Sequence, residues 1–179
     1  TTFQGGGVTL HHDAGFSVEA WVKWNRNPAP RSLDERWATI AVYGSSDNNR
    51  RWHLEHNMEN TRFEFVVVTS SAGSGGRWVA SVTEPKKDVW YHVVGVYNQN
   101  LTSHNLCLYV NGQDATRNPY TVTGDLRDSP GFLQIGGPSG ISYPGSGARK
   151  FDGEIRGLNT YDHALSPAQI AEKHAAGMP

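Results

Sequence analysis

The stretch Phe16-Ser17-Val18-Glu19-Ala20-Trp21-Val22-Lys23 decides the fold class. Phe16, Val18, Ala20 and Val22 are apolar, and Ser17, Glu19, Trp21 and Lys23 stand between them. Side chains alternate between the two faces of a strand, so this period of two predicts a strand with the first set turned to a core. Similar runs follow it, over 36–43, 51–56, 61–69, 77–82, 89–97, 105–110, 132–135 and 151–161. Turn-forming segments such as Ser45-Ser46-Asp47-Asn48-Asn49 and Asn57-Met58-Glu59-Asn60 separate them. Asn111-Gly112 is the strongest hairpin signal, since both central residues of a type I′ turn need positive φ. Nine or more strands exceed a usual open sheet, so two packed sheets are expected.

One helix is expected, at about 166–177. Ser166 can cap it, Pro167 suits the first turn, Gln169 completes a capping box and Gly177 can close it. Its apolar content is thin, which fits a lid on a sandwich better than an interaction site.

Composition agrees with this reading and closes off other classes. The 179 residues suit one domain spanning 1–179. Sixteen basic against 17 acidic residues give a net charge of −1, which argues against nucleic-acid binding through bulk positive charge. No apolar run approaches the ~20 residues of a membrane helix. Cys107 is the lone cysteine, so there is no internal disulfide and no thiolate zinc site; its apolar neighbours predict a buried thiol. Twenty glycines and 9 prolines beside 6 tryptophans and 7 tyrosines fit the turns and large flat side chains of an all-β chain. The chain opens on Thr1 rather than Met and is expected to be a processed or excised piece of a larger protein.

Five segments then recur in a telling order. They are 16–23, Trp90-Tyr91-His92-Val93-Val94-Gly95-Val96-Tyr97, Leu108-Tyr109-Val110-Asn111-Gly112, Phe132-Leu133-Gln134-Ile135-Gly136-Gly137, and Phe151-Asp152-Gly153-Glu154-Ile155 leading to Tyr161-Asp162-His163-Ala164-Leu165-Ser166. Together they resemble the laminin-G-like domains of the concanavalin A-like lectin/glucanase superfamily. The resemblance implies an all-β jelly-roll sandwich of two curved antiparallel sheets with a concave face and a short C-terminal helix. Relatives include carbohydrate-binding modules, adhesion domains and a few enzymes. Many relatives hold a structural calcium through acidic residues whose matching positions here are Gln4 and Arg156. Both anionic ligands are thus replaced, and calcium depends on carboxylate oxygens. Asp13 and Asp152 remain weak candidates to compensate, and no cofactor is required.

Sugars are held by aromatic faces and by polar groups that pair their hydroxyls. The candidate contacts are Trp52, Trp78 and Tyr143, with Arg51, His53, Arg62 and Arg77; Trp21 and Trp90 are expected in the core. Within 51–55, Trp52 and Leu54 share one face, and Arg51, His53 and Glu55 the other. The sugar reading needs Trp52, Trp78 and Tyr143 to line one exposed groove. Seven arginines between 26 and 77 would suit an acidic glycan, yet six acidic residues in the same stretch leave a surplus of one.

Catalysis is not expected. The superfamily's glycosidases place acids at alternate positions of one strand, whereas Glu55 and Glu64 are single acids on separate strands. Val96-Tyr97-Asn98-Gln99 resembles a lyase signature without its companion motifs. In His53-Leu54-Glu55-His56 the last residue faces away from the first and third, so three metal ligands cannot converge, and His11-His12-Asp13 is read as a surface loop. No Gly-Lys-Ser/Thr follows any glycine, so there is no phosphate loop. Asn100-Leu101-Thr102 is a glycosylation sequon on an expected loop. The expectation is a non-catalytic module of a secreted or cell-surface protein that binds a poly- or oligosaccharide, alongside other domains of the same chain. The alternatives are a structural or protein-interaction domain and, third, a polysaccharide-degrading enzyme.

Overall fold

The period-two segments form strands. The computed structural model describes residues 3–4, 15–25, 37–44, 50–70, 76–127, 131–137 and 150–179. Within them lie β1 (Phe3–Gln4), β2 (Gly15–Trp24), β3 (Trp37–Gly44), β4 (Arg50–Asn57), β5 (Arg62–Val67), β6 (Arg77–Ala80), β7 (Trp90–Asn98), β8 (Leu106–Val110), β9 (Gln113–Asp114), β10 (Phe132–Ile135), β11 (Gly153–Tyr161) and α1 (Pro167–Ala176). The order β1-β10-β3-β4-β5-β6 makes one sheet, and β11-β2-β7-β8-β9 makes the other. Every strand pairing is antiparallel. The expected jelly-roll sandwich is therefore the fold.

The core lies between the sheets. Phe16, Val18, Ala20 and Val22 of β2 are fully buried, as their alternation requires. Phe16 meets Trp52 of β4 at 6.1 Å, Phe65 of β5 at 5.8 Å and Tyr97 of β7 at 5.9 Å between ring centroids. A Cβ on Gly95 would stand 2.4 Å from the Phe65 ring, so the sheets approach too closely there for any side chain. The Asn111-Gly112 turn has φ of 52° and 78°, both positive as a type I′ hairpin demands, and it sets Val110 opposite Gln113.

The outer face of β2 is buried too, and this corrects several expectations. Ser17 and Glu19 are as inaccessible as the core residues, because the C-terminal segment covers them. Ser17 Oγ donates to His163 O at 3.0 Å and accepts from Leu165 N at 2.8 Å. Glu19 Oε1 meets His92 Nε2 at 2.8 Å, and the Tyr161 hydroxyl donates to Glu19 Oε2. Ile170 of α1 completes a second apolar cluster with Val94, Val96, Tyr109 and Leu165. Trp21 and Trp90, expected in the core, instead stand partly exposed on this outer face. Trp21 stacks on His174 at 5.6 Å, and Trp90 lies between Lys23 and Arg156 at 5.2 and 5.1 Å. The central indoles are Trp24 and Trp52, which follow the core phase of their strands. Cys107 is only half-buried; it sits beside the second cluster with its thiol donating to His104 O at 3.3 Å, and burial pushes that thiol up in pKa.

Candidate functional site

A cleft of about 330 Å³ opens on the outer face of the six-stranded sheet, away from the inter-sheet core. Its lining crosses four strands: Trp37 of β3, Arg50, His53, Glu55 and Asn57 of β4, Glu64 and Val66 of β5, and Trp78 of β6. Gly76 and Asn60 complete it. The phase of each strand explains this set. Trp52 and Leu54 point inward, so His53, Glu55 and Asn57 point outward; Phe63 and Phe65 point inward, so Glu64 and Val66 point outward. From β3 to β6 is three strand intervals, about 14 Å, so Trp37 and Trp78 stand toward opposite ends of the cleft. Trp78 is 46 % exposed.

The β4–β5 hairpin positions the floor. Asn57 Oδ1 accepts from the backbone N–H groups of Glu59 at 3.0 Å and Asn60 at 3.4 Å, and Thr61 closes the turn with φ 54°. That turn sets Asn57 opposite Arg62 and, two residues further, Glu55 directly opposite Glu64. Directly opposed residues have Cβ atoms about 4.5–5.5 Å apart. Two acids on separate strands thus become neighbours, although each is nearly inaccessible, at 2 % and 5 % exposure. Glu55 Oε2 lies 2.9 Å from His53 Nδ1, and Arg50 reaches His53 Nε2 at 3.5 Å. Glu64 Oε1 accepts from the side-chain amides of Asn57 at 2.9 Å and Asn60 at 3.2 Å. Burial raises the Glu64 pKa above the usual carboxylate value; the Glu55 charge adds to this, against the lowering pull of the two amides.

The sequence candidates divide. Trp78 and His53 line the cleft. Trp52 does not: it is fully buried against Tyr43 at 6.2 Å and cannot touch a ligand, because it shares the inward phase of Leu54. Tyr143 and Asp13 lie outside the described residues. The expected Trp52–Trp78–Tyr143 groove is therefore not the arrangement found, and Trp37 supplies the second indole. Arg51 Nε donates to Arg127 O at 2.5 Å, away from the cleft. Arg62 binds the carbonyls of Ser81 at 2.9 Å and Val82 at 2.7 Å, and the Glu84 carboxylate at 2.6 Å. Arg77 alternates with Trp78 and so faces the other side of β6. Trp37 and Arg50 belong to the stretch 37–78 that the sequence marks as rich in aromatic and basic groups but were not among the chosen contacts; Asn57, Asn60 and the Glu55–Glu64 opposition were missed. The signal for that opposition was the short turn 58–61, from which the register can be counted back.

The positions that match calcium ligands in relatives do not suit the ion. Arg156 places a guanidinium there, paired with Glu154 at 3.0 Å and seated over Trp90. Asp152 is exposed and its backbone carbonyl accepts from Asn25 N at 3.1 Å. Among the described residues no group of three or more His, Cys, Asp or Glu is placed to hold a metal. Tyr97 of the lyase-like segment is 1 % exposed in the core, where it cannot reach a substrate.

Residues 3–171 match the Laminin_G_3 family of the concanavalin A-like lectin/glucanases superfamily, and the chain belongs to that family. Solved structures with the same fold include a heptameric SAP-like pentraxin from Limulus polyphemus, at 15 % identity and TM-score 0.65, which covers 94 % of this chain and 74 % of its own. A candidate carbohydrate binding protein from Bacteroides ovatus matches at 18 % identity and TM-score 0.62, over 96 % of this chain and 43 % of its own. A sialidase from Trypanosoma rangeli matches at 15 % identity and TM-score 0.62, over 90 % of this chain but 22 % of its own. The fold is thus shared by enzymes and by lectin-like proteins, and these likenesses establish architecture alone.

Proposed function

We propose that the chain is a non-catalytic carbohydrate-binding module that holds a poly- or oligosaccharide in the cleft of the six-stranded sheet. The observation that carries this reading is the 46 % exposed indole of Trp78 beside a floor of Arg50, His53, Glu55, Asn57, Asn60 and Glu64. An apolar face lets a sugar ring stack, and convergent donors and acceptors pair its hydroxyls. A volume near 330 Å³ is at the small end of the roughly 300–1,000 Å³ of ligand pockets. The module would serve a larger secreted or cell-surface protein, where glycan polymers are met; the Bacteroides and Trypanosoma chains likewise extend far beyond the matched region. With Arg51 and Arg62 committed elsewhere and two acids on the floor, neutral sugars suit the cleft better than acidic ones.

The test is a glycan-array screen followed by titration calorimetry with the wild-type protein and Trp78→Ala. Binding that falls at least about tenfold in Trp78→Ala, with unchanged thermal stability, supports the reading. Unchanged affinity, or silence across the array, overturns it and favours a structural or protein-interaction domain.

The opposed acids favour a second reading. Glycoside hydrolases use a carboxylate pair flanking the scissile bond. Here Glu55 and Glu64 stand side by side on the floor, each already tied to protein groups, an arrangement better suited to holding a sugar than to straddling a bond. Release of reducing ends from any bound polysaccharide, lost in Glu64→Gln, would replace the binding reading with the enzymatic one.

A further inference from the structure

Glu64 is the least compensated charge in the cleft. It is 5 % exposed, and both its side-chain hydrogen bonds come from neutral amides onto Oε1. Among the described residues no cation pairs with it and Oε2 receives no protein donor, although the residue lines the cleft. The nearby basic groups are engaged elsewhere. Arg50 approaches His53, His53 meets Glu55, and Arg62 of the same strand serves the carbonyls of Ser81 and Val82 and the Glu84 carboxylate. A buried carboxylate without a counter-charge is costly, and buried charges are normally paired. The floor therefore holds one negative charge that a ligand can neutralise, with an exposed indole beside it.

We propose that the cleft selects glycans bearing a protonated amino group, such as a de-N-acetylated hexosamine, with the ammonium on Glu64 Oε2 and the sugar against Trp78. This rests on the carbohydrate reading and names its ligand class. An ammonium donates a charge-assisted hydrogen bond to a carboxylate, roughly twice as strong as a neutral one. It gains further from an aromatic face within about 6 Å. An N-acetyl group offers a neutral amide in the same place, and a uronate or sulfate meets like charge. The groups facing Glu64 are Glu55 and Asn57 from β4, Asn60 from the turn, and Ala80 with its neighbour Trp78 from β6. His53 of β4 also lines this face, but its ring is held by Glu55 at 2.9 Å, and Arg62 of β5 is held by Ser81, Val82 and Glu84, so among the described residues neither pairs with Glu64. Burial, with Glu55 beside it, raises the Glu64 pKa, so lowering the pH neutralises the carboxylate early and weakens the amine contact.

The experiment is calorimetric titration with matched pairs of oligosaccharides, N-acetylated and fully de-N-acetylated, at about 0.15 M salt to screen surface charge. The expected result is a preference of about tenfold or more for the amino member at about pH 6, where the sugar amine is protonated, lost once the pH is low enough to protonate Glu64. Glu64→Gln keeps an acceptor for the Asn57 and Asn60 amides and abolishes the preference for the amino member. Glu172→Gln, on the exposed face of α1, removes the same net charge and leaves the preference intact. Equal affinity for both members, or a preference that survives Glu64→Gln, overturns the inference while the carbohydrate reading stands. Binding of neither member of any pair overturns both.

Discussion

Trp52 touches Tyr43 at 6.2 Å and Phe16 at 6.1 Å and has no exposed surface. Truncating it to alanine leaves a cavity between the sheets, and the expected loss is about 3–5 kcal/mol. Chemical denaturation measures this, and a loss below about 1 kcal/mol would contradict the core assignment. Trp78→Ala removes an indole that is nearly half exposed and should change stability by no more than about 0.5 kcal/mol. The two residues are told apart by phase: Trp52 alternates with Arg51 and His53, and Trp78 with Arg77 and Val79. Residue type alone ranked both as sugar platforms, and the inward partner Leu54 was the sign that Trp52 packs. Trp37 shares the cleft with Trp78 because β3, β4, β5 and β6 lie side by side in one sheet, which residue type alone does not reveal. Glu64 gains its role from Glu55, nine positions earlier in the chain, and from two asparagines that a turn brings beside it.

The C-terminal helix was legible at both ends. Ser166 accepts from Gln169 N and the Gln169 side chain accepts from Ser166 N, so the expected capping box forms, with Pro167 in the first turn. Ser166→Ala should cost about 1 kcal/mol, read as a drop in unfolding free energy, and no change would mean that tertiary packing alone holds α1. What the helix does could not be read locally. It covers a face of β2 on which Glu19 is fastened to His92 and Tyr161, with Lys173 of α1 at 3.9 Å. Burial pushes the Glu19 pKa up, but the His92 and Tyr161 hydrogen bonds and the nearby positive charge outweigh it and leave it lowered. The alternation of β2 therefore separates two buried faces rather than a core face and a wet one. That is why Trp21 and Trp90, which lie off the core phase of their strands and not in the core as expected, are still partly covered. The β4–β5 hairpin teaches the same lesson for the site, since its register turns two isolated acids into a pair.

Across the whole molecule, the sandwich buries ionisable groups that couple its stability to pH. His56 points into the core against Trp24 and Phe63, and burial lowers its pKa from 6.5 to about 4. A histidine whose folded pKa is depressed contributes stability that is full above its unfolded value and is lost as the pH falls. From about pH 6.5 toward 4 the loss attributable to His56 should approach about 3 kcal/mol. Glu64 acts in the opposite sense: its raised pKa favours the folded state once protonated, so the two must be separated by variants. His56→Leu should flatten the acid-side decline in unfolding free energy, and an unchanged slope would exclude His56 as its source. The sequence by itself determined that the chain is all-β, where most strands run, which hairpin turns at Asn111-Gly112 and how the last helix is capped. These rest on alternation, turn chemistry and capping, which act between residues a few positions apart. Only the tertiary structure decided which aromatics meet solvent, that Arg51 and Arg62 are spent on backbone carbonyls, and that Glu55 and Glu64 share one cleft. Those outcomes depend on strand register and on what covers each face, contacts between residues far apart in the chain that no local pattern records.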